Sequence, residues 1–201
     1  MIVKAQKGRG KKIHILLDDE YKITTDVDFW SEYGIPNGSD IDDSEWNEIC
    51  ANINYRKALN KGADLLSRRS HSEYELKTKI MRTCDAVSAE KAVKRFVELG
   101  YLNDEDFAKE LAEHLFSVKN YSRGNVRAEL LKRGINRDIV NSVIAENDTD
   151  PVDSIINIIN KKYLRKLCEE DGKRKVTAAL ARKGFSYSDI KSAYYRIENE
   201  E

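Results

Sequence analysis

SRRSHSEYELKTKIMRTCDAVSAEKAVKRFVELGYLNDEDFAK (Ser67–Lys109) decides how the rest of the chain is read. Ser70 and Glu73 stand at the spacing of a capping box, which predicts a helix start at that point. Leu76 and Ile80, with Met81, then recur at helical spacing. A second helix carries Ala89, Ala92, Val93, Phe96, Val97 and Leu99, and Gly100 follows where a left-handed residue ends a helix. Asn103 is the expected cap of a third helix, with Phe107, Leu111 and Leu115 on one stripe. The stretch therefore predicts helix, turn, helix and a tight exit into another helix.

The pattern returns twice. RAELLKRGINRDIVNSVI (Arg127–Ile144) predicts a helix ending at Gly134, a cap at Asn136 and a helix carrying Ile139, Val140 and Val143. TAALARKGFSYSDIKSAY (Thr177–Tyr194) predicts a helix ending at Gly184, a cap at Ser186 and a helix carrying Ile190, Ala193 and Tyr194. Both have a leucine, two basic residues, a glycine, a bulky apolar residue and a small polar cap. Aligning Leu76, Leu130 and Leu180 gives a period of about 50 residues, the signature of stacked units that cannot bury their apolar faces alone.

Working outward, residues 2–6 and 13–17 are short β-type runs around a basic, glycine-containing turn, Lys7–Lys12, and YKITT follows Asp18-Asp19-Glu20. They predict a three-stranded meander. The Gly8-Arg9-Gly10 turn leads into a strand rather than a helix N-terminus, so it reads as a hairpin tip and not a nucleotide-binding loop. Phe29, Trp30 and Tyr33 are expected to pin this sheet onto the first helices. Ser44 is the expected cap of a helix through Trp46, Ile49 and Cys50, and Asn54 that of the next, with Ala58, Leu59, Leu65 and Leu66 inward. Ser122 opens a helix in the second repeat, and Asp150 with Pro151 opens the third. The expected fold is mainly α: tandem helix-turn-helix-like repeats in an elongated body behind a small β-meander. The expected divisions are 1–43 (β-rich extension), 44–103 (N-terminal helix and first repeat), 104–149 (second repeat) and 150–201 (third repeat).

Charged residues make up 35% of the 201, and the formal net charge is zero, so no global basic signal marks a nucleic-acid binder. Residues 161–183, however, hold 9 basic and 3 acidic residues. Cys50, Cys84 and Cys168 are odd in number and far apart, which reads as reduced, mostly buried thiols in a cytoplasmic protein. No apolar run resembles a signal peptide or a membrane span.

No catalytic constellation is visible. His14, His71 and His114 are widely separated, and no metal-ligand pairing, nucleophile elbow or phosphate-binding loop occurs. Asp104, Glu105 and Asp106 are explained by their place in a helix first turn. The chain reads as a non-enzymatic binding protein without metal or cofactor. Its candidate binding surface is a set of basic residues beside the repeated turns: Arg68, Arg69, Arg123, Arg127, Lys132, Arg133, Lys173, Arg174, Lys175, Arg182 and Lys183. Stacked in register, they would form a stripe suited to a polyanion or an acidic groove rather than a small ligand. Mere solubility is the plainer account of the same charges, and a structural adaptor without DNA affinity is a further alternative.

In order and spacing, several pieces resemble the RecX family, bacterial regulators of the RecA recombinase. They are Leu65-Leu66-Ser67-Arg68-Arg69-Ser70-His71-Ser72 with Glu75-Leu76; Leu99-Gly100-Tyr101-Leu102-Asn103-Asp104 with Phe107-Ala108; Arg127-Ala128-Glu129-Leu130 with Lys132-Arg133-Gly134-Ile135; and Arg182-Lys183-Gly184-Phe185 with Asp189-Ile190. The likeness covers about residues 54–201. The first repeat departs from it at Thr83-Cys84-Asp85, where a longer turn replaces the glycine and aromatic pair. The resemblance implies three tandem three-helix units forming a curved, elongated body that binds along a RecA–DNA filament; the chain itself is expected to be a monomer. It also implies modulation, usually inhibition, of recombination in DNA repair and the SOS response, with single- and double-stranded DNA met through basic faces. A helix-turn-helix DNA reader is the alternative from another class, although Arg, Asn and Gln are not concentrated where a second helix would read bases.

Overall fold

The computed structural model describes residues 1–199. Among them are three strands and eleven helices, divided between two compact units. The first comprises Met1–Arg68 with Lys79–Arg95, the second Arg69–Thr78 with Phe96 onward.

The first unit begins with the meander. β1 (Val3–Lys7) pairs antiparallel with β2 (Lys12–Leu17), which pairs antiparallel with β3 (Glu20–Asp26). Asp18 and Asp19 both take positive φ, +48° and +69°, as a tight two-residue hairpin requires. Alternation turns Val3, Ile15 and Leu17 inward, where they meet Trp30, Ile41, Ile49 and Ile53 in one core. Phe29 and Tyr33 pack against the same core, so the aromatic patch does fasten the sheet to helices. Phe29 and Trp30 lie on a short helix of their own, α1 (Val27–Ser31).

α2 (Asp43–Leu66) is one helix where two were expected. Its cap is Asp42 rather than Ser44. The Asp42 carboxylate accepts from the Glu45 amide at 2.8 Å and the Glu45 carboxylate accepts from the Asp42 amide at 3.0 Å, a reciprocal box that Ser44 could not complete. Asn54 lies inside the helix, where its neighbours Ile53 and Ala58 continue the buried stripe.

α3 (Glu73–Ile80) and α4 (Ala86–Glu98) follow. The cap of α3 is Ser72, not Ser70: the Ser72 hydroxyl accepts from the Glu75 amide at 3.1 Å. Met81–Asp85 separate these helices, and the Asp85 carboxylate caps α4 through the Ser88 amide at 2.8 Å.

The second unit contains the two clearest repeats. One is α5 (Asp104–Ser117), α6 (Arg123–Lys132) and α7 (Arg137–Ala145). The other is α8 (Pro151–Lys162), the short α9 (Leu164–Leu167), α10 (Gly172–Arg182) and α11 (Tyr187–Asn199). Asn103, Ser122, Asn136 and Asp150 cap as expected, each accepting a hydrogen bond from a first-turn amide. Ser186 accepts in the same way from the Asp189 amide.

Each repeat buries its own core, and the cores superpose in sequence. Val126, Leu130, Ile135, Val140, Val143 and Ile144 are buried in one. Val176, Leu180, Phe185, Ile190, Ala193 and Tyr194, each fifty positions on, are buried in the other. Leu76 and Ile80, both fully buried, stand fifty positions before Val126 and Leu130. The register of the first repeat therefore pairs Leu76 with Val126, not with Leu130.

Candidate interaction surface

The same translation governs how the repeats meet. Ser72, at the start of α3, donates from Oγ to the Arg133 carbonyl at the end of α6, at 2.6 Å. Ser122, at the start of α6, donates to the Lys183 carbonyl at the end of α10, at 2.8 Å. Each serine thus satisfies an amide of its own helix and a carbonyl orphaned at the end of another. Gly134, at φ +79°, lets this happen at the first junction, since a Cβ there would stand 2.3 Å from the Tyr74 Cβ.

Beside that junction lies an ionic cluster. Glu75 Oε1 accepts from Arg133 Nη1 at 2.9 Å and Oε2 from Arg69 Nη1 at 3.1 Å. The Glu75 side chain is only 18% exposed and that of Arg133 29%. Burial pushes the Glu75 carboxyl up, but the hydrogen bond from Arg69 and the charges of Arg133, Arg69 and His71 outweigh it and hold the carboxyl below the ordinary glutamate range. Arg133 Nε is buried with no hydrogen-bond partner. A surface hollow of about 420 Å³ opens between Arg69, Arg133, Phe107, Leu111 and His114. Asp104 accepts from the Glu73 amide at 2.9 Å, so it caps α3 as well as favouring its own helix start. Burial raises its carboxyl pKa against the pull of that hydrogen bond.

The other basic residues are spread over the surface. Arg68 is paired with Asp64 in the first unit at 3.0 Å. Arg123 donates to the Asn147 carbonyl at 3.2 Å, and Arg127 to the Asn141 side chain. Lys173 is paired with Glu198 and lies 5.0 Å from the centre of the Tyr194 ring. Arg174 is paired with Asp171 at 3.0 Å, Lys175 reaches the Glu170 carbonyl, and Arg182 donates to the carbonyl of Ala178 in its own helix. Lys132 and Arg182 are exposed fifty positions apart, each one residue before the carbonyl that receives the junction serine. Arg133 and Lys183 themselves are half-buried.

Two features escaped the sequence reading. The role of Glu75 was signalled by a second S-x-x-E spacing, Ser72 to Glu75, overlapping the one at Ser70. The thiols are not mostly buried: Cys50 and Cys84 are half-buried and Cys168 is exposed. Among the described residues no group of His, Cys, Asp and Glu is placed to hold a metal, and no helix is long and apolar enough to cross a membrane.

Repeated three-helix modules, joined through one recurring serine contact and carrying basic helix ends, define a helical-repeat protein. Residues 103–144 match the second three-helix domain of RecX, and residues 148–194 match its third. The chain is 25% identical over 200 residues to the regulatory protein RecX of Clostridioides difficile (strain 630), covering 98% of this chain and 94% of that one. It is 28% identical over 204 residues to the protein of that name from Bacillus subtilis (strain 168), covering 98% and 76%. A crystal structure of regulatory protein RecX shares the fold with a TM-score of 0.68 at 18% identity, over 96% of both chains. That of RecX from Lactobacillus salivarius gives 0.62 at 19%, over 72% of this chain and 97% of the other. Two RecX three-helix domains are thus matched within residues 103–194, and regulatory proteins named RecX match the chain along nearly its whole length.

Proposed function

We propose that the chain is a non-enzymatic, monomeric, cytoplasmic regulator that binds the RecA–DNA filament and lowers recombinase activity. The observation that carries this reading is the translation by fifty residues, which sets buried cores, serine junctions and the exposed cations Lys132 and Arg182 at equivalent positions of successive modules. A surface that repeats along the chain suits a partner that repeats along its axis, and repeat proteins use such surfaces for extended partners. Cations at those positions suit an acidic protein face or phosphates. We take 1–43 as a β-rich extension and 44–103, 104–149 and 150–201 as the module divisions.

A base-reading helix-turn-helix has less support. Asn141 of α7 is held by Arg127, and Asp189 in the first turn of α11 is held by the Ser186 hydroxyl at 2.6 Å, so neither is free to face a base edge. The test is ATP hydrolysis and strand exchange by RecA with the chain titrated in. A saturable fall in both is expected. Unchanged rates at saturating chain would end the reading.

A further inference from the structure

The unit that holds the meander has two hollows along α2. One, of about 350 Å³, lies between Phe29, Glu32 and Tyr33 on one side and Asn52, Tyr55, Arg56 and Leu59 on the other. The second, of about 460 Å³, lies between the segment from Tyr33 to Ile41 and the α2 residues Glu45, Glu48 and Ile49. They share Tyr33, and the α2 residues of both recur at intervals of three and four, which puts them on one face of that helix. From Glu45 to Leu59 that face runs about 21 Å, the reach of about six extended residues.

The floor of this groove is aromatic and incompletely covered: Phe29, Tyr33, Ile35, Tyr55 and Leu59 are only half-buried. Phe29 meets Tyr33 edge to face and already carries a cation, the Arg56 guanidinium, 5.0 Å from its ring centre. Burial raises the Tyr33 hydroxyl pKa, the hydrogen bond with Asn52 opposes this, and the charges of Glu48 and Glu32 raise it further, so both carboxylates act on that hydroxyl. Among the described residues neither Glu32 nor Glu48 has a salt bridge or a hydrogen bond. Asp19, Asp26, Asp40 and Asp64 of the same unit are each ion-paired. Residues 1–57 hold 8 basic and 11 acidic residues, net −3, which adds to the negative potential.

We propose that this groove docks an extended, basic and apolar segment of a partner protein, with a lysine or arginine held at Tyr33 by Glu32 and Glu48 and apolar side chains against Tyr55 and Leu59. Unpaired carboxylates beside aromatic rings attract a cation through charge and ring quadrupole together. Alternate side chains of an extended segment point the same way, so its apolar residues enter the hollows while the cation meets the carboxylates. The same carboxylates repel a phosphate backbone. Arg56 gives the groove a direction, because it repels a second cation at the Leu59 end. The groove uses none of the basic helix ends assigned to the filament, and the proposal does not depend on that reading.

The experiment is fluorescence anisotropy of a labelled hexapeptide alternating lysine with leucine and phenylalanine, titrated with the full chain without RecA or DNA. Saturable binding that weakens with salt is expected, and the same peptide with glutamate for lysine should not bind. Glu32→Gln/Glu48→Gln and Tyr55→Ala should each weaken binding roughly tenfold, while Tyr55→Phe, which keeps the ring, binds as wild type. Arg56→Gln should strengthen it. Glu169→Gln/Glu170→Gln, exposed carboxylates of the other unit, should leave it unchanged. Helical content by circular dichroism checks each fold. No saturable binding of the lysine peptide, equal binding of the glutamate peptide, or groove variants that bind as wild type would each overturn the proposal. So would a concentration-dependent mass in sedimentation that Glu32→Gln/Glu48→Gln abolishes, since the groove would then close on a second copy.

Discussion

Ser122 donates its hydroxyl to the carbonyl of Lys183, sixty-one residues on, at 2.8 Å, and Ser72 makes the same bond to Arg133 across the same separation. Both serines are buried. Replacing either by alanine removes an N-cap and leaves a carbonyl without its donor, at a cost of about 1–3 kcal/mol. The two losses should add in the double variant, because the junctions share no partner. Urea unfolding of the two single variants and the double variant checks this; a double loss well below the sum would mean that the junctions are coupled.

Gly100 and Gly134 share almost the same φ, +74° and +79°, but not the same surroundings. Gly100 has open space where a Cβ would go, whereas at Gly134 the Tyr74 side chain occupies it. Gly100→Ala should cost only the left-handed backbone term, about 1–2 kcal/mol. Gly134→Ala should cost about 1–3 kcal/mol more, because the clash is with the root of the tyrosine side chain and not a flexible tip. Equal midpoint shifts by thermal unfolding would contradict the close approach.

Glu75 sets part of the acid stability. Its carboxyl is depressed in the folded chain, so its contribution is full above the unfolded value near 4.5 and is lost as pH falls through the folded value. Glu75→Gln should cost about 1.5–3 kcal/mol at pH 7, with the gap to wild type closing below about pH 4.5. Asp104 has the opposite sign. Its raised carboxyl imposes a penalty that appears as pH rises from 3.8, so Asp104→Asn, which keeps the acceptor for the Glu73 amide, should be neutral or stabilising at pH 7. Denaturation midpoints across pH 3–7 test both.

These residues show what was legible in the chain. The repeats, most caps and the buried stripe of each module were readable because helix periodicity and capping chemistry are local. The Asp42 box was legible too, since Glu45 stands three residues after Asp42 whereas Asn47 stands three after Ser44. Residue type alone favours the serine, and that spacing decides for the aspartate. The register of the first repeat was missed because Ile80 stands where the other repeats have leucine, and the glycine that marks their turns is absent. Among the basic residues, sequence could not separate the exposed Lys132 from the half-buried Arg133 beside it. Their difference arises from Glu75, fifty-eight residues away from Arg133 in sequence.

That difference changes which substitutions probe binding. Arg133→Glu would place a like charge against half-buried Glu75 and should destabilise the fold. Lys132→Glu and Arg182→Glu leave the junction contacts intact, so the double variant should unfold as wild type while losing most of its affinity for an anionic partner.

The most direct measurement is co-sedimentation of the chain with RecA filaments assembled on single-stranded DNA, for wild type and for Lys132→Glu/Arg182→Glu. The account predicts that wild type pellets with the filament and saturates, and that the folded variant stays mostly in the supernatant. Wild type remaining in the supernatant would contradict filament binding itself. A variant that pellets like wild type would contradict the repeated cations as its means.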